Sequence, residues 1–153
     1  MRPTADRVRE ALFSILGDIA GLRVLDLFCG TGALGIEAIS RGAASVALVD
    51  RDPSLAARNL RELEIESRCE LVRGDAIRFL ACEGRLWDLV LCDPPYGAGQ
   101  ELVAALDRLL PSRLTAGARI AVESAVREPL ELSLPVELER RYGSTLLRIH
   151  VSE

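Results

Sequence analysis

Val24-Leu25-Asp26-Leu27-Phe28-Cys29-Gly30-Thr31-Gly32-Ala33-Leu34-Gly35 carries the strongest pattern in the chain. Its apolar first half reads as a strand buried on both faces. Its second half, Gly30 to Gly35, matches G-x-G-x-x-G, following a strand and opening a helix. Glycines there let the backbone approach a ligand closely, and the helix N-terminus offers unpaired N–H groups. Asp50 closes the next predicted strand, Ser45–Val49, where its carboxylate is placed to accept both hydroxyls of a ribose. A tight strand–helix turn without a ligand would satisfy the glycines alone, but leaves Asp50 unexplained.

On either side of this stretch, short apolar runs alternate with amphipathic ones. Thr4 is placed to cap a first helix whose inner face is Val8, Ala11, Leu12, Ile15 and Leu16. Strands are expected at Arg23–Phe28, Ser45–Val49, Glu70–Arg73, Trp87–Cys92 and Arg119–Glu123. Helices are expected at residues 33–41, Pro53–Leu63, Ala76–Cys82 and Gly99–Leu110. Val136–Tyr142 and Thr145–Val151 read as strands joined by Gly143-Ser144, which fits a tight hairpin. The βαβαβ rhythm implies an α/β fold, a largely parallel sheet with helices on both faces. No repeat or linker divides the 153 residues, so a single domain is expected over 1–153.

Composition narrows the class. Nearly half the residues are apolar and about a quarter charged, as in a soluble globular domain, and no apolar run approaches a membrane span. The N-terminus lacks the apolar core of a signal peptide, so a cytoplasmic location is expected. The net charge of −4 argues mildly against a general nucleic-acid binder. Every basic residue except His150 is Arg, the residue suited to bidentate phosphate recognition; a base-composition bias would produce the same enrichment. Cys29, Cys69, Cys82 and Cys92 show no C-x-x-C spacing, so no metal site is expected and reduced buried thiols are favoured. Cys29 and Cys92 both end predicted strands and fall near each other on that reading.

Asp26 narrows the cofactor. A carboxylate inside an apolar strand is costly without a cationic or donor-rich partner. An ammonium group, held directly or through water, suits it; a pyrophosphate does not. That favours S-adenosylmethionine over NAD, although both use this outline. Phe28 and Arg51, next to the glycine loop and to Asp50, join Gly30, Gly32 and Asp50 as candidate cofactor contacts. Gly74-Asp75-Ala76 follows the third strand. Asp75 either reaches the adenine amino group, with the Ala76 N–H facing a ring nitrogen, or caps the following helix.

Asp93-Pro94-Pro95-Tyr96 follows the strand Leu89-Val90-Leu91-Cys92. An acid, two prolines and an aromatic at a strand's carboxyl end form a rigid slot for a flat amino group. A nucleobase amine is a poor nucleophile because its lone pair is delocalised into the ring. Asp93 and the Pro94 carbonyl can each accept one N–H as the nitrogen pyramidalises, which stabilises the transition state selectively. Asp93 also borders the cofactor. Tyr96 can stack on the base, worth ~1–3 kcal/mol. An Asp-Pro-Pro turn is common in isolation; paired with the upstream loop it points to methyl transfer onto an exocyclic amine.

The chain resembles a known family at three places: Arg2-Pro3-Thr4-Ala5-Asp6-Arg7-Val8-Arg9-Glu10-Ala11-Leu12-Phe13, Leu25–Gly32 and Asp93–Tyr96. In matching order these look like the bacterial 16S rRNA guanine-N2 methyltransferases (RsmD-like). The resemblance implies a seven-stranded sheet with an antiparallel last strand, S-adenosylmethionine as donor and N2-methylguanine in small-subunit rRNA as product. It implies Gly30, Asp50, Asp75 and Ala76 at the cofactor, and Asp93, Pro94 and Tyr96 on the amine. Arg2, Pro3 and Thr4 fall beside the cofactor and the substrate entrance, and Arg7 and Pro95 are further candidate RNA contacts. Family members carry a basic β-hairpin before the Arg-Pro-Thr segment; this sequence begins at that segment and reads as lacking it. A monomer acting on 16S rRNA within the small ribosomal subunit is expected. The rival readings are an amino-methyltransferase for DNA adenine N6 or a protein glutamine, and a cofactor-binding core with weak RNA affinity. An NAD-dependent oxidoreductase would have only His150 for hydride transfer.

Overall fold

The computed structural model describes residues 3–153, with side chains from Ala5 onward. Seven strands form one sheet in the order β3-β2-β1-β4-β5-β7-β6. They are β1 (Arg23–Leu27), β2 (Ser45–Asp50), β3 (Glu70–Arg73), β4 (Trp87–Cys92), β5 (Leu114–Ala125), β6 (Val136–Tyr142) and β7 (Thr145–Val151). The first five run parallel, and β7 lies antiparallel to both β5 and β6. This is the Rossmann-like fold of class I methyltransferases.

Five α-helices cover the sheet: α1 (Pro3–Leu16), α2 (Ala33–Ser40), α3 (Ser54–Glu62), α4 (Ala76–Cys82) and α5 (Gly99–Leu109). Strand alternation divides the core. Leu25 and Leu27 point to the side where Leu80 of α4 and Leu106 of α5 pack. Val24 points to the opposite side, with Leu12 and Phe13 of α1, Ala38 and Ile39 of α2, and Ala56 of α3. The near-continuous apolar runs of β1, β2 and β4 follow from burial on both faces. The Arg119 guanidinium donates to the Leu16 carbonyl at 3.1 Å, satisfying a carbonyl at the open end of α1.

Element bounds differ from the sequence expectation in a few places. The first helix already includes Pro3, so Thr4 lies within its first turn instead of preceding it. Pro53 caps α3 rather than entering it. β5 begins at Leu114, ahead of the expected Arg119. Pairing with β4 jumps from Trp87↔Leu114 to Leu89↔Arg119, so Thr115-Ala116-Gly117 is a bulge inside a strand, with Gly117 at φ +75°.

The strand order reverses between β1 and β4. Chain leaving β1 goes to β2 and β3 on one side; chain leaving β4 goes to β5 on the other. A crevice opens at such a switch point beyond the carboxyl ends of the strands, the usual ligand site of open α/β sheets. The loop after β1 and the Asp93 turn after β4 are its two walls.

Candidate active site

The loop after β1 is built to leave the sheet abruptly. Phe28 takes φ +59°, an unusual conformation for a non-glycine residue and one that concentrates at functional sites. The Cys29 N–H still donates to the Val49 carbonyl, so the loop stays stitched to β2. Asn59 of α3 donates to the Thr31 carbonyl at 2.8 Å and holds the crest. Gly35 is required by contact. A Cβ there would lie 2.8 Å from Leu48 Cδ2 and 3.1 Å from Asp26 Oδ2.

Asp50 joins two loops. Its Oδ2 accepts the Gly30 N–H at 2.8 Å and its Oδ1 the Asp52 N–H at 3.0 Å. Each carboxylate oxygen has lone pairs beyond these single bonds, available to vicinal hydroxyls. Asp75 is also held at both oxygens. Oδ2 caps α4 by accepting the Arg78 N–H at 3.0 Å, and Oδ1 accepts Arg51 Nη2 at 2.8 Å. These bonds, Arg51 first, hold its carboxyl below the ordinary range. The capping role of Asp75 is therefore present, together with an ion pair to the exposed Arg51.

Asp26 is 1% exposed, with the Gly35 N–H donating to Oδ2 at 3.0 Å. Burial pushes its pKa up to about 8; the Gly35 bond opposes this, and Asp93, Asp50 and Glu123 add to it. Burial likewise raises the thiols of Cys29 and Cys92, which are free and unreactive in their ordinary state.

Two cavities meet at the Asp93 turn. One, of about 630 Å³, is lined by Phe28, Asp50, Arg51, Asp75, Ala76 and Asp93, with Ile77 and Leu102 adding apolar wall. The other, of about 1020 Å³, is lined by Asp93, Pro94, Pro95 and Tyr96 together with Glu123 and Arg127. Most predicted site residues are thus brought together. Gly30 and Gly32 do not line the first cavity: Gly30 is linked to it through Asp50, and Asp26 lies beneath in the core. Tyr96 is 70% exposed, and the Arg127 guanidinium covers its ring at 5.2 Å. Arg7 packs over the Tyr142 ring at 5.7 Å, next to the hairpin whose Ser144 and Thr145 border the larger cavity. Arg2 lies outside the described residues, as do the side chains of Pro3 and Thr4.

Sequence reasoning missed Ile77, Leu102, Glu123 and Arg127. For Glu123 a signal existed. Ala121-Val122-Glu123 repeats the apolar-then-acidic ending of Leu48-Val49-Asp50 and Leu91-Cys92-Asp93. Arg127 and Leu102 have no such mark, since only the fold brings them to the cavities.

The profile of the family described as "Conserved hypothetical protein 95" matches residues 1–151. The chain is 39% identical over 102 residues to "Ribosomal RNA small subunit methyltransferase D" of Escherichia coli, covering 65% of this chain and 52% of that protein. It thus spans about half the length of the curated relatives it matches. Among solved structures, "Putative methyltransferase yhhF" from Escherichia coli superposes with TM-score 0.86 at 35% identity, covering 100% of this chain and 88% of that one. A conserved hypothetical protein of Streptococcus pyogenes superposes with TM-score 0.83 at 32% identity, covering 95% of each.

Proposed function

Because the chain belongs to the Conserved hypothetical protein 95 family, and within it to the RsmD-like class I S-adenosylmethionine-dependent methyltransferases, we propose that it methylates the exocyclic N2 of a guanine in 16S rRNA of the small ribosomal subunit. The observation that carries this reading is the meeting of two cavities at Asp93. One cavity suits a nucleoside cofactor and the other a flat amine.

The residues present fit S-adenosylmethionine. Asp26 is a carboxylate buried beneath the crevice, and a cationic group above it would relieve the cost of its charge. Asp50 is oriented by two backbone N–H groups and keeps acceptor capacity for ribose hydroxyls. Phe28, Ile77 and Leu102 supply apolar surface for a flat ring. Bound there, the sulfonium supplies an already activated methyl group. Asp75, Ala76 and Arg51 would lie at the base end of the nucleoside, where Arg51 must give up or share its bond to Asp75.

The chain's own contribution is placement and charge. Asp93 and the Pro94 carbonyl accept the two amine protons and turn the nitrogen lone pair toward the methyl. Pro94 and Pro95 keep that turn rigid. Positive charge developing on nitrogen strengthens both bonds, and the surplus proton leaves to Asp93 or water. Tyr96 receives the base on a ring face, replacing or joining Arg127. A base must leave its stack to enter such a slot, so an unpaired or loop guanine is the natural substrate. Arg2, Pro3, Thr4 and Arg7 belong to the RNA-facing side of this proposal.

Incubation with labelled S-adenosylmethionine and unmethylated small subunits, followed by nucleoside identification, tests the reading. Labelled N2-methylguanosine is the expected product; N6-methyladenosine or methylglutamine would replace it with a rival amine. Asp93→Ala should abolish transfer and leave the calorimetric affinity for the cofactor near that of the parent. A parallel loss of affinity would refute the division of labour between the two walls.

A further inference from the structure

We infer that Glu123 reads the Watson–Crick edge of the target base, accepting the N1–H of guanine beside the N2 amine that Asp93 holds. The inference rests on the methyltransferase reading above and adds to it a residue that selects guanine among amines.

Position comes first. β4 and β5 pair in register through Cys92↔Val122. Asp93 and Glu123 follow directly and are level with each other, Asp93 just past the end of β4 and Glu123 near the end of β5's pairing with β7, opposite Leu147. Leu91 and Ala121 pack on the α1–α2 side. Strand alternation therefore sends Glu123 to that side, at the level of Asp93. Both residues line the same cavity as Pro94 and Tyr96.

The chemistry of Glu123 is unmet. Its side chain is half-buried, and among the described residues no hydrogen-bond donor reaches its oxygens. Burial first, and the Asp93 charge second, push its pKa up to about 7. The Asp93 charge beside it makes an ionised, donor-less Glu123 costly. A ligand that gives Glu123 an N–H, next to an amine that reaches Asp93, would remove that cost.

Guanine offers such a pair, N1–H next to N2–H. Adenine and cytosine place a ring acceptor beside their exocyclic amine, which an ionised Glu123 would repel. A glutamine side chain has an amide nitrogen but no second donor alongside. The Asp93–Glu123 pair therefore matches guanine and discriminates against the other amines an Asp-Pro-Pro-Tyr slot could accept.

The test compares unmethylated small-subunit RNA carrying guanosine at the methylated position with the same RNA carrying 2,6-diaminopurine riboside. The analogue keeps the N2 amine but presents a bare N1 acceptor. The parent enzyme should prefer guanosine by roughly 10- to 100-fold in kcat/KM, as expected for a hydrogen bond to a charged group. Glu123→Gln, whose amide can donate to the bare N1, should shrink or invert that ratio. Glu123→Asp, which keeps the carboxylate, should retain the preference for guanosine at lower rate. Unchanged cofactor affinity in both variants verifies that they fold. Parent-level discrimination in Glu123→Gln would overturn the inference while leaving the methyltransferase reading intact. No transfer by the parent to either RNA would overturn both.

Discussion

Asp26 shows how a single carboxylate can oppose folding and still be retained. Its folded pKa of about 8 lies far above its ordinary value of 3.8, so the folded chain keeps a proton that the unfolded chain releases. Stability is therefore greatest below pH about 4 as far as this group is concerned, and is lost as pH rises toward about 8. Asp26→Asn keeps an acceptor for the Gly35 N–H and has no proton to release. Thermal denaturation across pH 5 to about 8 should show a higher Tm in the variant at neutral pH and a flatter pH dependence. An identical slope in both proteins would mean that Asp26 is already ionised in the fold. The same variant should bind S-adenosylmethionine more weakly, since the carboxylate is what a cationic group would meet. Asp26 was legible in the sequence because a carboxylate in Val24-Leu25-Asp26-Leu27 has no packing reason to be there.

At the scale of elements, the glycine loop and α2 are fitted to β2 by contact. Gly35→Ala places a methyl group against Leu48, which is fully buried, and against the Asp26 carboxylate. Overpacking of this kind costs about 1–3 kcal/mol. Urea denaturation should report a loss in that range, and cofactor affinity should fall with it as the loop shifts. The strand ends were largely legible, because apolar runs closed by Asp50 and Asp93 carry their own stop signals. β5 was expected only at Arg119–Glu123; Thr115-Ala116-Gly117 carries no strand pattern, and only pairing with β4 makes it a bulge inside a longer strand. Asp75 illustrates the opposite limit. Sequence left it between a ligand contact and a helix cap, and the structure shows the cap together with an Arg51 bond that no spacing announces.

Across the whole molecule, acidic groups from four parallel strands or their ends converge on the switch point: Asp26, Asp50, Asp93 and Glu123. Facing the larger cavity are also Asp107 of α5, and Arg127, Glu128 and Glu131 after β5. If Glu123 must be ionised to accept a donor, methyl transfer should rise with pH through about 7 and flatten above it. In Glu123→Gln that limb should vanish from the pH profile of kcat/KM. A limb that persists unchanged would assign the titration to another group. This convergence was only half visible beforehand, since Glu123 acquires its meaning from register and Arg127 from the course of the chain after β5. The described residues include no helix long and apolar enough to cross a membrane.

The Asp93 turn belongs to both cavities, as do Pro95 and Ala98. A partition with a ligand on either side has a consequence for timing. If the proposed occupants take one cavity each, the shared turn would let the spent cofactor be exchanged while the nucleic acid is held, and either could arrive first. Turnover would then be governed by whichever side empties more slowly, rather than by an imposed sequence of entry.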